Sequence, residues 1–101
     1  MKRKPEACPI GKVVDLLGDS CSILIIRDLL KGPKRFGELE DSLAVSSRTL
    51  TKKLKLLEEE RMVTRNEMKG AAACARYQLT QKGTALQKVV DAMSAYGKKY
   101  L

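Results

Sequence analysis

The chain has no histidine and no tryptophan, and carries one phenylalanine, three prolines and three cysteines in 101 residues. Without histidine it lacks the commonest general acid or base and the commonest metal ligand. It also has no glycine-rich phosphate loop, no carboxylate pair in an apolar setting and no thiol beside an obvious base, so it does not read as an enzyme. Cys8, Cys21 and Cys74 form neither a CxxC pair nor an even disulfide framework, which argues against a structural zinc site and a secreted scaffold. No metal and no cofactor is expected, and the thiols should be free. The longest aliphatic run, Ile23 to Ile26, is far short of the roughly 20 residues that cross a bilayer. Lys12 and Asp15 interrupt the segment where a signal peptide would carry its apolar stretch, so a cytoplasmic location is expected, with no membrane partner. The four rings, Phe36, Tyr77, Tyr96 and Tyr100, are too few and too scattered to stack the bases of a single strand.

What the chain does have is positive charge. Twenty Lys and Arg against twelve Asp and Glu leave +8, a surplus that persists across physiological pH and favours a polyanionic partner. Forty-four per cent apolar residues suffice for one core, although a domain this small buries a modest share of its surface and would gain from a dimer interface. No repeat, low-complexity tract or interdomain linker divides the sequence, so residues 1–101 are read as one module.

Residues 1–7, with Lys2, Arg3 and Lys4, read as a basic arm. Pro9 suits a first helical position, and Ile10, Val13, Val14 and Leu17 follow at helical spacing up to Gly18, a plausible stop. Asp19, Ser20 and Ser22 can cap a second helix, apolar on nearly every side, that Gly32 and Pro33 end; it should form the centre of the core. Phe36, Leu39 and Leu43 mark a short third helix, and Ser46 is placed to cap a fourth that runs to about Glu60. Met62 to Arg65 and Ala75 to Leu79 can pair as antiparallel strands around a turn region at Lys69-Gly70 and the alanines that follow. Thr80 can cap a last helix over residues 80–99, whose Leu86, Val89, Val90, Met93 and Tyr96 form an apolar stripe. That stripe can cover the protomer's own core or meet a partner.

Residues 36–60 thus read as a helix-turn-helix and residues 62–79 as a β-hairpin wing. With Leu50 at zero and about 100° per residue, Leu54 and Leu57 fall within about 40° of it, whereas Arg48, Thr51, Lys52 and Lys55 fall between roughly 100° and 200°. One face packs and the other is basic. A functional reading lays this helix in the major groove of DNA, with Arg48 forked onto guanine and Ser46, Ser47, Thr49, Thr51, Lys52 and Lys55 near phosphates. Lys34 and Arg35, just before the third helix, can anchor phosphates, and Arg65, Lys69 and Arg76 can set the wing over a minor groove or its flanks. The bland reading is a solvated helix face and an ordinary exposed hairpin. The competing functional reading keeps the fold but uses it on RNA or on another protein.

These residues resemble a known pattern: Cys8-Pro9, Leu16 through Leu30, Gly32-Pro33-Lys34-Arg35-Phe36-Gly37-Glu38-Leu39, Ser46 to Leu50, and Tyr77-Gln78-Leu79-Thr80 with Gly83. Together they look like the HxlR-type winged helix-turn-helix regulators. The resemblance implies a mainly α fold with a small β-hairpin, acting as a homodimeric cytoplasmic transcription regulator on a pseudo-palindromic site in double-stranded DNA. It also implies a dimer seam from the first and last helices, here Val13, Val14, Leu17, Leu86, Val89, Val90, Met93 and Tyr96. Some members use a cysteine at the position of Cys8 to sense oxidants or electrophiles, and a helix N-terminus is where reactive thiols are found. An inert, buried cysteine is the alternative. Cys21 should sit in the core and Cys74 on the wing surface. Three residues depart from the pattern: Cys21 where tryptophan is common, Arg76 where glutamate is common, and Gly70 with three alanines where the wing usually has prolines.

Overall fold

Most of the helices begin where a side chain accepts one of their free amides. Pro9 opens α1 (Pro9–Leu17), and the Cys8 sulfur, just before it, accepts the Gly11 N–H at 3.2 Å; Gly18, at φ 73°, closes the helix in a conformation glycine adopts without strain. The Asp19 carboxylate accepts the Cys21 and Ser22 N–H groups and starts α2 (Ser20–Leu29). After Gly32 the chain forms β1 (Lys34–Arg35), then α3 (Phe36–Leu43), where the Arg35 N–H donates to Glu38 at 2.8 Å. Ala44 takes a left-handed conformation at φ 53° and swings the chain into α4 (Ser47–Glu59), capped by the Ser46 hydroxyl accepting the Thr49 N–H. Strands β2 (Val63–Met68) and β3 (Ala71–Leu79) follow, then α5 (Gln81–Thr84) and α6 (Gln87–Tyr100). The computed structural model describes residues 8–68 and 71–101, with the backbone alone at 68 and 71–74. The basic arm, Lys69 and the Cys74 side chain, all named above, lie outside what is described.

The fold is a winged helix-turn-helix, mainly helical with a three-stranded antiparallel sheet in the order β1-β3-β2. Three features differ from the sequence expectations. Lys34 and Arg35 form a strand, because β3 offers its free edge and pairs Lys34 with Tyr77 and Arg35 with Arg76. The hairpin strands are longer than expected, and the alanines assigned to the turn extend β3, with Met68 opposite Ala71 beyond an irregularity at Asn66 to Met68.

The last helix is two pieces, because α5 is pinned to the start of β2. Thr80 donates its N–H to the Met62 carbonyl and its hydroxyl to the Arg61 carbonyl, Lys82 donates to the Glu60 carbonyl, and the Gly83 N–H returns to the Thr80 hydroxyl. A turn at Ala85-Leu86 then redirects the chain.

The core joins Ile25, Ile26 and Leu29 of α2 to Leu39 of α3, to Leu50, Leu54 and Leu57 of α4, and to Met62, Val63, Tyr77 and Leu86. Each such aliphatic side chain contributes about 1.5–3 kcal/mol by leaving water. The opposite side of α2 is less covered: Ile23 and Leu24 line a groove with Val90 and Met93 of α6. None of the 14 residues of α6 is buried in the protomer. Among the described residues, no helix is long and apolar enough to cross a membrane.

Candidate nucleic-acid interface

Leu50, Leu54 and Leu57 are no more than 1% exposed, which fixes the roll of α4 about its axis. The same periodicity leaves Arg48, Thr51, Lys52 and Lys55 exposed on the far side. Lys53, between the two faces, is tied elsewhere: its ammonium lies 2.6 Å from the Asp19 carboxylate and ties α4 to the N-terminus of α2. That hydrogen bond, with help from the Ser22 and Cys21 amides and against a smaller cost of burial, holds the Asp19 carboxyl below the usual carboxylate value. Sequence reasoning missed this contact, since Asp19 and Lys53 are far apart in the chain and carry no motif.

Three of the hydroxyls expected near phosphates have other work. Ser46 caps the helix and donates to the Thr49 hydroxyl, while the Ser47 hydroxyl donates to Glu40 of α3. They brace the turn between α3 and α4, and the exposed α4 side chains without such a bond include Arg48, Thr51, Lys52 and Lys55. Further along, Glu58 is partly covered and Glu59 and Glu60 are exposed, beyond the N-terminal turns.

The sheet divides the remaining cations. Lys34, Tyr77 and Arg65 stand opposite one another across the three strands, and so do Arg35, Arg76 and Asn66. Residues directly opposite share a face, so Arg65 and Arg76 project to opposite sides, a division invisible before the register is known. Lys34 is half-buried, whereas Arg35, Arg65 and Arg76 are exposed. The Arg65 guanidinium donates to Glu67 at 2.7 Å; this bond raises its pKa, with a lesser contribution from Tyr77. Glu38, at the start of α3, is held low by the Arg35 N–H and by the charges of Lys34, Arg35 and Arg76.

The residues named as a seam also separate. Val14, Val89, Met93 and Tyr96 are exposed, the last two at 54% and 62%, and Ile10 of α1 reaches 76%. Val13, Leu17 and Val90 are half-buried. Leu86 corrects the expectation: it belongs to the protomer's own core, because the turn before α6 drives it inward. Cys8 is exposed at the end of α1, and Cys21 is half-buried against the core, its thiol pushed up by burial and by the charge of Asp19.

The profile of the family described as HxlR-like helix-turn-helix matches residues 16–101. The sequence is 40% identical over 95 residues to the HTH-type transcriptional regulator sll1512 of Synechocystis sp., spanning 93% of this chain and 70% of that one. It is 37% identical over 95 residues to the HTH-type transcriptional regulator YodB of Bacillus subtilis, spanning 92% of this chain and 85% of YodB. The reduced form of YodB superimposes with a TM-score of 0.78 over 92% of this chain and 93% of its own. The redox regulator HypR in its reduced form gives a TM-score of 0.84 at 26% identity, over 91% of this chain and 92% of its own.

Proposed function

The chain belongs to the HxlR-like helix-turn-helix family of transcriptional regulators, and from that premise we propose that it acts in the cytoplasm as a homodimer that reads a pseudo-palindromic operator. The observation that carries this reading is the division of α4, with three leucines sealed into the core and Arg48, Thr51, Lys52 and Lys55 left in solvent. Arg48 supplies a fork suited to guanine, and Lys52 and Lys55 neutralise flanking phosphates. A dimer is supported by the exposed apolar residues Val89, Met93 and Tyr96 of α6, a helix with no fully buried residue in the protomer, and by the exposed Ile10 and Val14 of α1. Such a pair presents two copies of α4, and half-sites about one helical turn apart would suit them. A salt titration on duplex DNA tests the reading. If the dimer neutralises roughly six to ten phosphates, log K falls with log salt at a slope of about −5 to −9. A flat dependence would favour the use of the fold on another protein, which nothing in the matched relatives suggests.

A second reading concerns the signal. YodB has been solved quinone-bound and after diamide treatment, and HypR is a redox regulator in reduced and oxidised forms. In this chain the exposed Cys8 sulfur caps α1 by accepting the Gly11 N–H. Oxidation or alkylation there would put a bulkier group on the capping sulfur at the edge of the proposed seam, so we infer that Cys8 links an oxidant or electrophile to operator release. Operator binding that is the same with and without a thiol oxidant, or that stays oxidant-sensitive in Cys8→Ser, would end this reading.

A further inference from the structure

The face of the sheet that carries Tyr77 is the one turned to the helices, since Tyr77 is in the core. Arg65 shares that face and Arg76 does not. Where the core ends, the same face opens into a cleft of about 590 Å³ whose lining includes Arg35 of β1, Glu38 and Asp41 of α3, Thr51 of α4, and Tyr77 and Arg65 of the sheet. The cleft is therefore continuous with the basic face of α4 through Thr51, and Arg65 is the described cation of β2 and β3 that serves it. Its volume lies in the range that accepts whole small molecules, so a phosphodiester has ample room.

Arg65 is not free there. Its Nη1 donates to Glu67 Oε1 at 2.7 Å, two residues along the strand. Both side chains keep about a third of their surface in water, 33% and 39%, so the bond can exchange with another anion. Of the two acids that α3 brings to the cleft, Glu38 accepts the Arg35 N–H and its charge is balanced by Lys34, Arg35 and Arg76, while Asp41 is exposed to solvent. Glu67 is thus the carboxylate bonded to the Arg65 guanidinium, and a phosphate reaching Arg65 would compete with it.

We propose that this cleft receives one backbone phosphate of the duplex on each protomer, held by Arg65 with Thr51 on the opposite wall, and that Glu67 is a built-in competitor displaced when DNA binds. The inference rests on the duplex-binding reading above and adds to it a specific phosphate site and a residue that limits affinity. Glu67 sets the operator affinity below its maximum, keeping the regulator releasable.

The test is a double-mutant cycle read by duplex affinity, with the full chain as Glu67→Gln, Arg65→Ala and the pair, and with Glu59→Gln as a control that removes the same charge far along α4. Glu67→Gln should tighten binding two- to about fivefold per half-site, the equilibrium equivalent of an exposed ion pair. The control should tighten it less. In the Arg65→Ala background the gain from Glu67→Gln should vanish, and Arg65→Ala alone should make the salt slope shallower by about 0.9 per protomer. An equal gain from Glu67→Gln with Arg65 absent, or an equal gain from Glu59→Gln, would reduce the effect to net charge and overturn the proposal while leaving the duplex reading intact. Wild-type protein that binds no duplex would overturn both.

Discussion

Gly83→Ala is the substitution whose outcome the structure decides most sharply, because two effects of opposite sign meet there. A Cβ at Gly83 would overlap the Met62 carbonyl oxygen and stand 2.9 Å from Leu79 Cδ2. The first of these neighbours is backbone and cannot rotate away. Relief requires α5 to lift from the start of β2, where Thr80 donates to the Met62 carbonyl at 3.0 Å and to the Arg61 carbonyl at 2.6 Å. Overpacking of this kind costs about 1–3 kcal/mol. A lost hydrogen bond adds about 1 kcal/mol. The gain in helix propensity from glycine to alanine is at most about 1 kcal/mol. The net is a destabilisation of about 1–3 kcal/mol, which for a domain of this size lowers Tm by roughly 5–20 °C. Thermal unfolding followed by circular dichroism, at fixed protein concentration, reads it directly. Gly37→Ala in α3 is the matched control, since nothing lies within 4 Å of its Cβ position. There alanine should be neutral or stabilising by up to about 1 kcal/mol. If Gly83→Ala raised Tm as Gly37→Ala does, the close approach of α5 to β2 would be wrong, and with it the origin of the bend that aims α6.

Three further outcomes are expected. Arg48→Ala should cost about 1–3 kcal/mol on the operator and relax selectivity at one base, whereas Lys52→Ala should weaken specific and random duplex alike, as measured by fluorescence anisotropy. Asp19→Asn keeps a capping side chain but removes the charge partner of Lys53; because Asp19 is about half exposed the loss should be only roughly 0.2–1 kcal/mol. The carboxyl is held low in the folded state, so its contribution is present above the unfolded carboxylate pKa of about 3.9 and disappears as pH falls through the folded value. Wild type and variant should therefore differ in Tm above about pH 5 and converge in strong acid. Met93→Glu should leave the protomer folded, since the residue is exposed, but set an unpaired charge in the proposed seam at a cost of about 3–5 kcal/mol; sedimentation should find monomer at micromolar concentration where wild type is dimeric.

Much of this molecule is legible in the sequence where the signal is local. The leucine stripe of α4, the caps at Asp19, Ser46 and Thr80, and the Gly32-Pro33 stop depend on residues within a turn or two of one another. What escaped detection depends on partners far along the chain. Lys34-Arg35 has no strand pattern of its own and becomes β1 because Tyr77 and Arg76 lie beside it. Alanines have weak strand preference, yet pairing with β2 carries them into β3. Leu86 reads as one more member of an apolar stripe until the turn at Ala85-Leu86 rotates it into the core. For the site, periodicity alone put Arg48, Thr51, Lys52 and Lys55 on one face, whereas the division of the sheet cations needed the strand register. The Ser46 cap is local and legible, whereas the bond from the Ser47 hydroxyl to Glu40 of α3 joins two helices and has no sequence signal.

The central claim is that the exposed face of α4 enters duplex DNA twice per dimer. Hydroxyl-radical footprinting on fragments selected from genomic DNA by the full chain tests it most directly. The account predicts two protected patches about one helical turn apart, related by approximate two-fold sequence symmetry, that both fade in Arg48→Ala and Lys52→Ala. A footprint unchanged in both variants, or a single unpaired patch, would contradict it.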